Sequence, residues 1–208
     1  MSYVRQNYHV ISMDELIKSL RLGEKLPRRS IVATFDDGNM PTLRLASPIL
    51  EEFHIPVTVF LSAGSPLDEN NLIWTDLLRW WLKLTQLNHY SVRLNGHVCE
   101  WKLTELTERL RAIREISRKL KLMDNEERKK AMKQLERDLG VKTSELPQEW
   151  LLTNNQIKFL SQKQIKFGAH TMTHSILSRT SLQDARYEIF ESKRWLENVL
   201  NEKVRHFA

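Results

Sequence analysis

The stretch IVATFDDGNMPTLRLASPILEEFHIPVTVFLSAG, residues 31 to 64, decides the fold. IVATF, residues 31 to 35, is short, apolar and rich in β-branched residues, as a strand buried on both faces should be. It stops abruptly at Asp36-Asp37-Gly38. PTLRLASPILEEF then reads as a helix, with Pro48 predicting a kink or an early break. VTVFLSAG, residues 57 to 64, is a second buried strand. Strand, helix and strand in close succession make a βαβ unit, which calls for a parallel sheet or barrel.

Working outward, Ser12 and Glu15 form a capping-box pattern ahead of ELIKSLRLG, a short helix closed by Gly23. From about residue 68 to residue 152 the rhythm changes. IWTDLLRWWLKL reads as a largely buried helix, and YSVRLNGHVCEW places Asn95-Gly96 between two alternating runs, a strong hairpin signal. Two charged helices follow, at roughly 103–121 and 125–138. The α/β pattern then resumes with NNQIKFLSQ as a helix and IKFGA, residues 165 to 169, as a strand ending at His170. Ser181 and Asp184 start a long helix, and VRHFA opens a further strand. Residues 1–67 and 153–208 therefore belong to one barrel-type portion, interrupted by an α+β, mostly helical insertion at 68–152.

Composition narrows the function. The 208 residues are 41% hydrophobic and 28% charged, as in an ordinary globular protein. No apolar run is long enough to cross a bilayer, and the first residues lack the apolar core of a signal peptide. The single cysteine, Cys99, excludes an internal disulfide and a cysteine-built zinc site. The net charge of +6 comes mostly from residues 101–140, where twelve Lys/Arg meet eight Asp/Glu. Both signs are mixed there without interleaved aromatics, the pattern of a solvated helix face and not of a nucleic-acid groove. Neither a P-loop nor a G-x-G-x-x-G is present.

The chemistry concentrates in two clusters. Asp36-Asp37 follows the strand IVATF, and His170, with His174 four residues on, follows the strand IKFGA. The C-terminal ends of parallel strands share one face, where sites are assembled, so the two clusters can converge. Adjacent carboxylates repel each other unless a proton, cation or hydrogen bonds intervene. One carboxylate with two neutral imidazoles is a three-ligand set that leaves a position open for water, as in a catalytic zinc site. The other aspartate can then act as a general base. Gly38 allows a sharp turn beside them. The competing reading makes Asp36-Asp37-Gly38 a helix-capping turn and His170 and His174 structural. His9, His54, His89, His97 and His206 lack such company, and Ser62 and Ser65, near a strand end, have no histidine paired with them in sequence.

Thr34-Phe35-Asp36-Asp37-Gly38 resembles the first motif of the polysaccharide deacetylases, the NodB-homology family of carbohydrate esterase family 4. His170-Thr171-Met172-Thr173-His174 resembles the second motif, H-[ST]-x-x-H, with Leu177 at the usual apolar place after it. Tyr8-His9-Val10-Ile11-Ser12 is similar to the family's opening segment. The resemblance implies an α/β fold, an incomplete deformed (β/α)7 barrel, with the site at the C-terminal strand ends. It implies a metal-dependent carbohydrate N-deacetylase that hydrolyses the N-acetyl amide of an amino sugar to acetate and a free amine. Asp36 would be the catalytic base, and Asp37, His170 and His174 would hold a divalent metal, zinc before other transition metals. The partner would be an N-acetylated glycan, met outside the cytoplasm or at the cell envelope. Val204 to Ala208 runs into the third motif, so the oxyanion donor and the late histidine acid are expected after Ala208 and the chain is expected to be a fragment. Two alternatives stand beside this reading: a metal-binding but catalytically incomplete module, and a metal-assisted amidohydrolase acting on a non-sugar C–N bond. Trp74, Trp80, Trp81 and Trp101 are expected to pack in the core of the insertion, with a sugar-binding wall as the other possibility.

Overall fold

A computed structural model describes residues 1–63, 72–146, 150–163 and 165–208. Ser65 and the expected boundary at residue 68 lie outside the described residues. The chain opens with α1 (Ser2–Asn7), β1 (His9–Val10) and α2 (Met13–Leu22). The capping box at α2 is complete, with Ser12 and Glu15 satisfying each other's backbone N–H, and Gly23 closes the helix in the left-handed region.

The run expected as one strand is divided at Val32 into β2 (Ser30–Ile31) and β3 (Ala33–Phe35). The two halves serve different neighbours: β2 pairs in parallel with β1, and β3 pairs in parallel with β4 (Val57–Leu61). Between them α3 (Met40–Glu52) continues past Pro48, contrary to the expected early break. Pro48 is exposed, so water can serve the carbonyl that its missing N–H leaves without a partner. Every residue of β4 is buried, Thr58 included, as a strand with neighbours on both sides requires. On its other side β4 pairs in parallel with β7 (Ile165–Ala169), giving the order β3-β4-β7.

After β4 come α4 (Trp74–Leu84), the hairpin β5 (His89–Leu94) and β6 (His97–Lys102), α5 (Leu106–Lys121) and α6 (Asn125–Leu139). The hairpin turns at Asn95 and Gly96, whose φ values of 53° and 78° are those of a two-residue primed turn. Then α7 (Asn154–Ser161), β7 and α8 (Leu182–Leu200) complete the order. The last residues do not form the expected strand. They reach β7 through an isolated parallel bridge between Ala169 and Phe207 and two backbone bonds, Ala169 N–H to His206 O at 2.9 Å and Ala208 N–H to Ala169 O at 3.1 Å. Gly168 makes that approach possible, since a Cβ there would stand 3.0 Å from the His206 oxygen and 2.6 Å from the Phe60 ring.

Apolar burial falls into two clusters. One joins α3, β4, α7, β7 and α8 through Leu43, Val59, Ile157, Phe167 and Leu196. The other lies wholly within residues 72–146 and centres on Leu82, Leu94, Ile116, Leu120 and Leu135. Trp81 and Trp101 are buried in this second core, while Trp74 and Trp80 are only partly covered and pack against it. The core-packing expectation therefore fits Trp81 and Trp101 best. The architecture is mixed α/β, with helices around parallel strands.

Candidate metal centre

The β3-β4-β7 register carries the two sequence clusters to neighbouring strand ends. Phe35 ends β3 and Ala169 ends β7, each one strand away from β4. The ladder extends one step beyond β7, with His170 N–H donating to Leu61 O at 2.9 Å and Ala63 N–H donating to Thr171 O at 3.0 Å. At the end of β3, Asp37 and Gly38 turn through the left-handed region, with φ of 69° and 80°. A Cβ on Gly38 would lie 2.3 Å from Leu61 Cδ2, so the turn packs on β4 as only glycine permits. The capping reading of this turn fails on one contact. Asn39, not either aspartate, caps α3, its side chain accepting the Thr42 N–H at 3.1 Å.

Three of the four expected site residues meet. Asp37 Oδ1 lies 3.1 Å from His174 Nε2 and 3.5 Å from His170 Nε2, and one ligand atom from each residue lies within 4.8 Å of the others. Yet Asp37 Oδ1 has no hydrogen-bond partner although it is buried. The pairing with His174 has ion-pair distance without hydrogen-bond geometry. A buried carboxylate oxygen left in this way needs an explanation, and a cation between the three groups supplies one. Ligand atoms bound at about 2.0 Å around a tetrahedral ion stand about 3.3 Å apart, close to both separations. His170 Nδ1 lies 2.7 Å from the Ala208 carbonyl oxygen. Donation there puts the proton on Nδ1 and leaves the Nε2 lone pair facing Asp37, the arrangement of a metal-binding histidine. The residues fit a divalent metal.

Electrostatics agree with the crowding. Burial pushes the Asp37 carboxyl up, but His174, His170 and Arg79 outweigh it and hold it below the ordinary carboxylate value. Backbone strain collects here as well. Asp37, Thr171 and His174 are all left-handed non-glycine residues, with φ of 69°, 65° and 53°. Such conformations cost free energy and persist where the surroundings over-determine them, commonly at functional sites.

Asp36 stands apart. It is exposed, and its carboxylate makes no hydrogen bond or ion pair among the described residues. Ser62 is buried at the end of β4 with an unpartnered hydroxyl and no bond to either imidazole. His206 is engaged with Asp14 Oδ1 at 2.9 Å. His170 and His174 border a cleft of about 570 Å³ whose walls include Trp74, Ile176, Leu177 and Phe207.

Two supports escaped sequence reasoning. Glu188, on α8, accepts the N–H groups of Met172 and Thr173 at 2.7 and 2.9 Å. Trp74 donates its indole N–H to the His174 carbonyl at 3.0 Å. Their one sequence signal is an acid or indole on an otherwise apolar helix face, which does not say what it meets.

The fold is shared with solved deacetylases. It is similar to the Streptococcus pyogenes deacetylase PplD in complex with acetate, at TM-score 0.55 and 16% identity over 99% of this chain and 57% of that one. It is also similar to the deacetylase domain of BpsB from Bordetella bronchiseptica, at TM-score 0.51 and 16% identity over 99% of this chain and 65% of that one. The chain thus spans less than two thirds of either structure. Comparison with curated protein sequences gives no significant match. The family model for polysaccharide deacetylase matches residues 23–208, and with the two motif loops converging on one centre, this chain belongs to the polysaccharide deacetylase family.

Proposed function

We propose that the chain carries out metal-dependent N-deacetylation of an amino sugar in a glycan. The observation that carries this reading is the buried Asp37 Oδ1, left without a hydrogen bond, facing the Nε2 atoms of His170 and His174. Asp37, His170 and His174 would hold the metal, with zinc favoured by the one-carboxylate, two-imidazole donor set. When bound, the metal supplies Lewis acidity at the amide carbonyl and lowers the pKa of water. Asp36, adjacent to the ligand turn and with a carboxylate that has no partner among the described residues, takes the proton from the attacking water. The carbonyl carbon gains the water oxygen, the C–N bond breaks, and the nitrogen leaves as an amine carrying the proton that Asp36 took from the water. Ile176, Leu177 and Phe207 give the cleft an apolar wall that suits an acetyl methyl.

The same reading takes the parallel strands as part of a deformed (β/α)7 barrel, with residues 68–152 inserted into it. Family resemblance further carries the proposal of a substrate outside the cytoplasm. Among the described residues no helix is long and apolar enough to cross a membrane.

The test is acetate release from N-acetylglucosamine oligomers by the zinc-loaded chain. Release that stops on chelation and in Asp36→Asn supports the mechanism; release indifferent to both sinks it. A second reading, metal binding without turnover, is favoured by the exposed, unsupported Asp36 carboxylate. Zinc binding with no acetate from any oligomer would select it.

A further inference from the structure

The helical unit after β4 touches both ligand loops, and a buried acid lies between its two points of contact. On one side, residues 150–152 run as a splint along the turn that follows Asp37. Met40 N–H donates to Trp150 O at 2.8 Å, Leu152 N–H donates to Gly38 O at 3.1 Å, and Asn39 and Leu151 form an antiparallel bridge. On the other side, α4 opens with Trp74, whose indole N–H holds the His174 carbonyl. The Trp74 ring also lies 6.4 Å from the His174 imidazole, tilted by 36°.

Asp76 joins these two supports. Two residues after Trp74, it is only 6% exposed. Its Oδ2 accepts the Trp150 indole N–H at 2.8 Å, and its Oδ1 accepts from Arg79 at 3.2 Å. The other buried residues of α4, Leu78, Trp81 and Leu82, are all apolar. A buried carboxylate is a poor source of stability in such a helix, because an apolar side chain of similar volume avoids the desolvation cost. Its directional bonds are what an apolar residue could not supply.

We propose that Asp76 is a positioning residue that sets the separation of Asp37 from His174. It ties Trp150, which holds the turn after Asp37, to the helix whose Trp74 holds His174. The proposal rests on Asp37, His170 and His174 being the metal ligands, and it gives the unit around α4 a function as a brace. It also accounts for the left-handed backbone at Asp37 and His174, the brace or its adjoining residues holding the carbonyl of Gly38, next to Asp37, and that of His174 itself.

The experiment is a zinc titration of the metal-free full chain by calorimetry, with melting followed in parallel. Trp150→Phe and Asp76→Ala each break the same link, and loss of a residue supporting metal ligands typically weakens binding about 10- to 100-fold. Both variants are expected to fall in that range, and the double variant no further than the weaker single one. Asp76→Asn keeps an acceptor for the Trp150 indole and is expected to recover affinity close to wild type. Tyr90→Phe removes the bond from the Tyr90 hydroxyl to Asp138 in the same unit, away from both loops. It is expected to lower the melting temperature and leave zinc affinity unchanged. Should Asp76→Ala not fold, Trp150→Phe carries the test, since it keeps an aromatic ring against Trp80. Wild-type affinity in the folded link-breaking variants overturns the positioning role while leaving the metal centre intact. A wild-type chain that binds no zinc overturns the metal centre and this proposal with it.

Discussion

Glu188 accepts both the main-chain N–H of Thr173, at 2.9 Å, and the Thr173 hydroxyl, at 2.5 Å. The same carboxylate takes the Met172 N–H at 2.7 Å, so the loop between His170 and His174 hangs from α8. Removing the acceptor leaves the buried Met172 N–H unsatisfied, at a cost of about 1–3 kcal/mol, and takes the partner from two part-buried donors of Thr173. Glu188→Ala is therefore expected to lose about 2–5 kcal/mol in urea unfolding of the metal-free chain and to weaken zinc binding. Glu188→Gln keeps an accepting oxygen and should lose less. Equal stability of Glu188→Ala and wild type would contradict the arrangement.

The turn after Asp37 is tested by adding one methyl group. Gly38→Ala forces a Cβ to within 2.3 Å of Leu61 Cδ2 at a φ of 80°. Overpacking and left-handed strain together predict a loss of about 2–4 kcal/mol in chemical denaturation. Gly96→Ala, at a φ of 78° but with no atom within 4 Å of the added carbon, should lose less. Reversal of that order would refute the close approach of the turn to β4.

The sheet and the ligand clusters were legible because each rests on local pattern. IVATF and VTVFL are short runs rich in β-branched residues, each with a single Thr as its only polar side chain, and the residues just past IVATF and IKFGA are the ones the parallel register brings together. Capping residues also act locally, and Ser12, Asn95, Gly96 and Ser181 do in the fold what their neighbours imply. What was not legible depends on contacts distant in sequence. The break at Val32 arises because β1 and β4 pair with different halves of one strand. Trp74 meets His174 across 100 residues, and Trp150 meets Asp76 across 74. No periodicity encodes such pairs. The final residues read as a strand from VRHFA, but a single bridge to Ala169 is what forms.

Acidity gives a third prediction. Burial first, and then the nearby Asp37 charge, raise the Asp76 carboxyl above its ordinary value, against the opposing bonds from Trp150 and Arg79. A carboxyl raised in the folded state contributes stability that is fully present below its unfolded value near 3.8 and is lost as pH rises through the raised value. The metal-free wild type should therefore lose stability relative to Asp76→Asn as pH rises from about 4 to neutrality. Melting curves of both proteins across that range check it. A difference that does not vary with pH would contradict the raised carboxyl.

Metal binding should be visible as stability. Zinc at 100 times its dissociation constant adds about 2.7 kcal/mol, or roughly 5–10 °C in melting temperature for a chain of this size. Asp37→Ala and His174→Ala are expected to abolish most of this shift, while His206→Ala, which removes a surface contact to Asp14, keeps it. An equal shift in all three variants would place the metal elsewhere.

One carboxylate and two imidazoles of this chain, from Asp37, His170 and His174, are expected to hold a single divalent ion. X-ray absorption at the zinc edge of the one-to-one complex reads those ligands directly. The expected spectrum shows nitrogen and oxygen neighbours at about 2.0–2.1 Å and the outer-sphere signature of two imidazoles, one of which is lost in His174→Ala. A sulfur neighbour at about 2.3 Å, which only Cys99 or a methionine could supply, or an unchanged spectrum in His174→Ala, would contradict it.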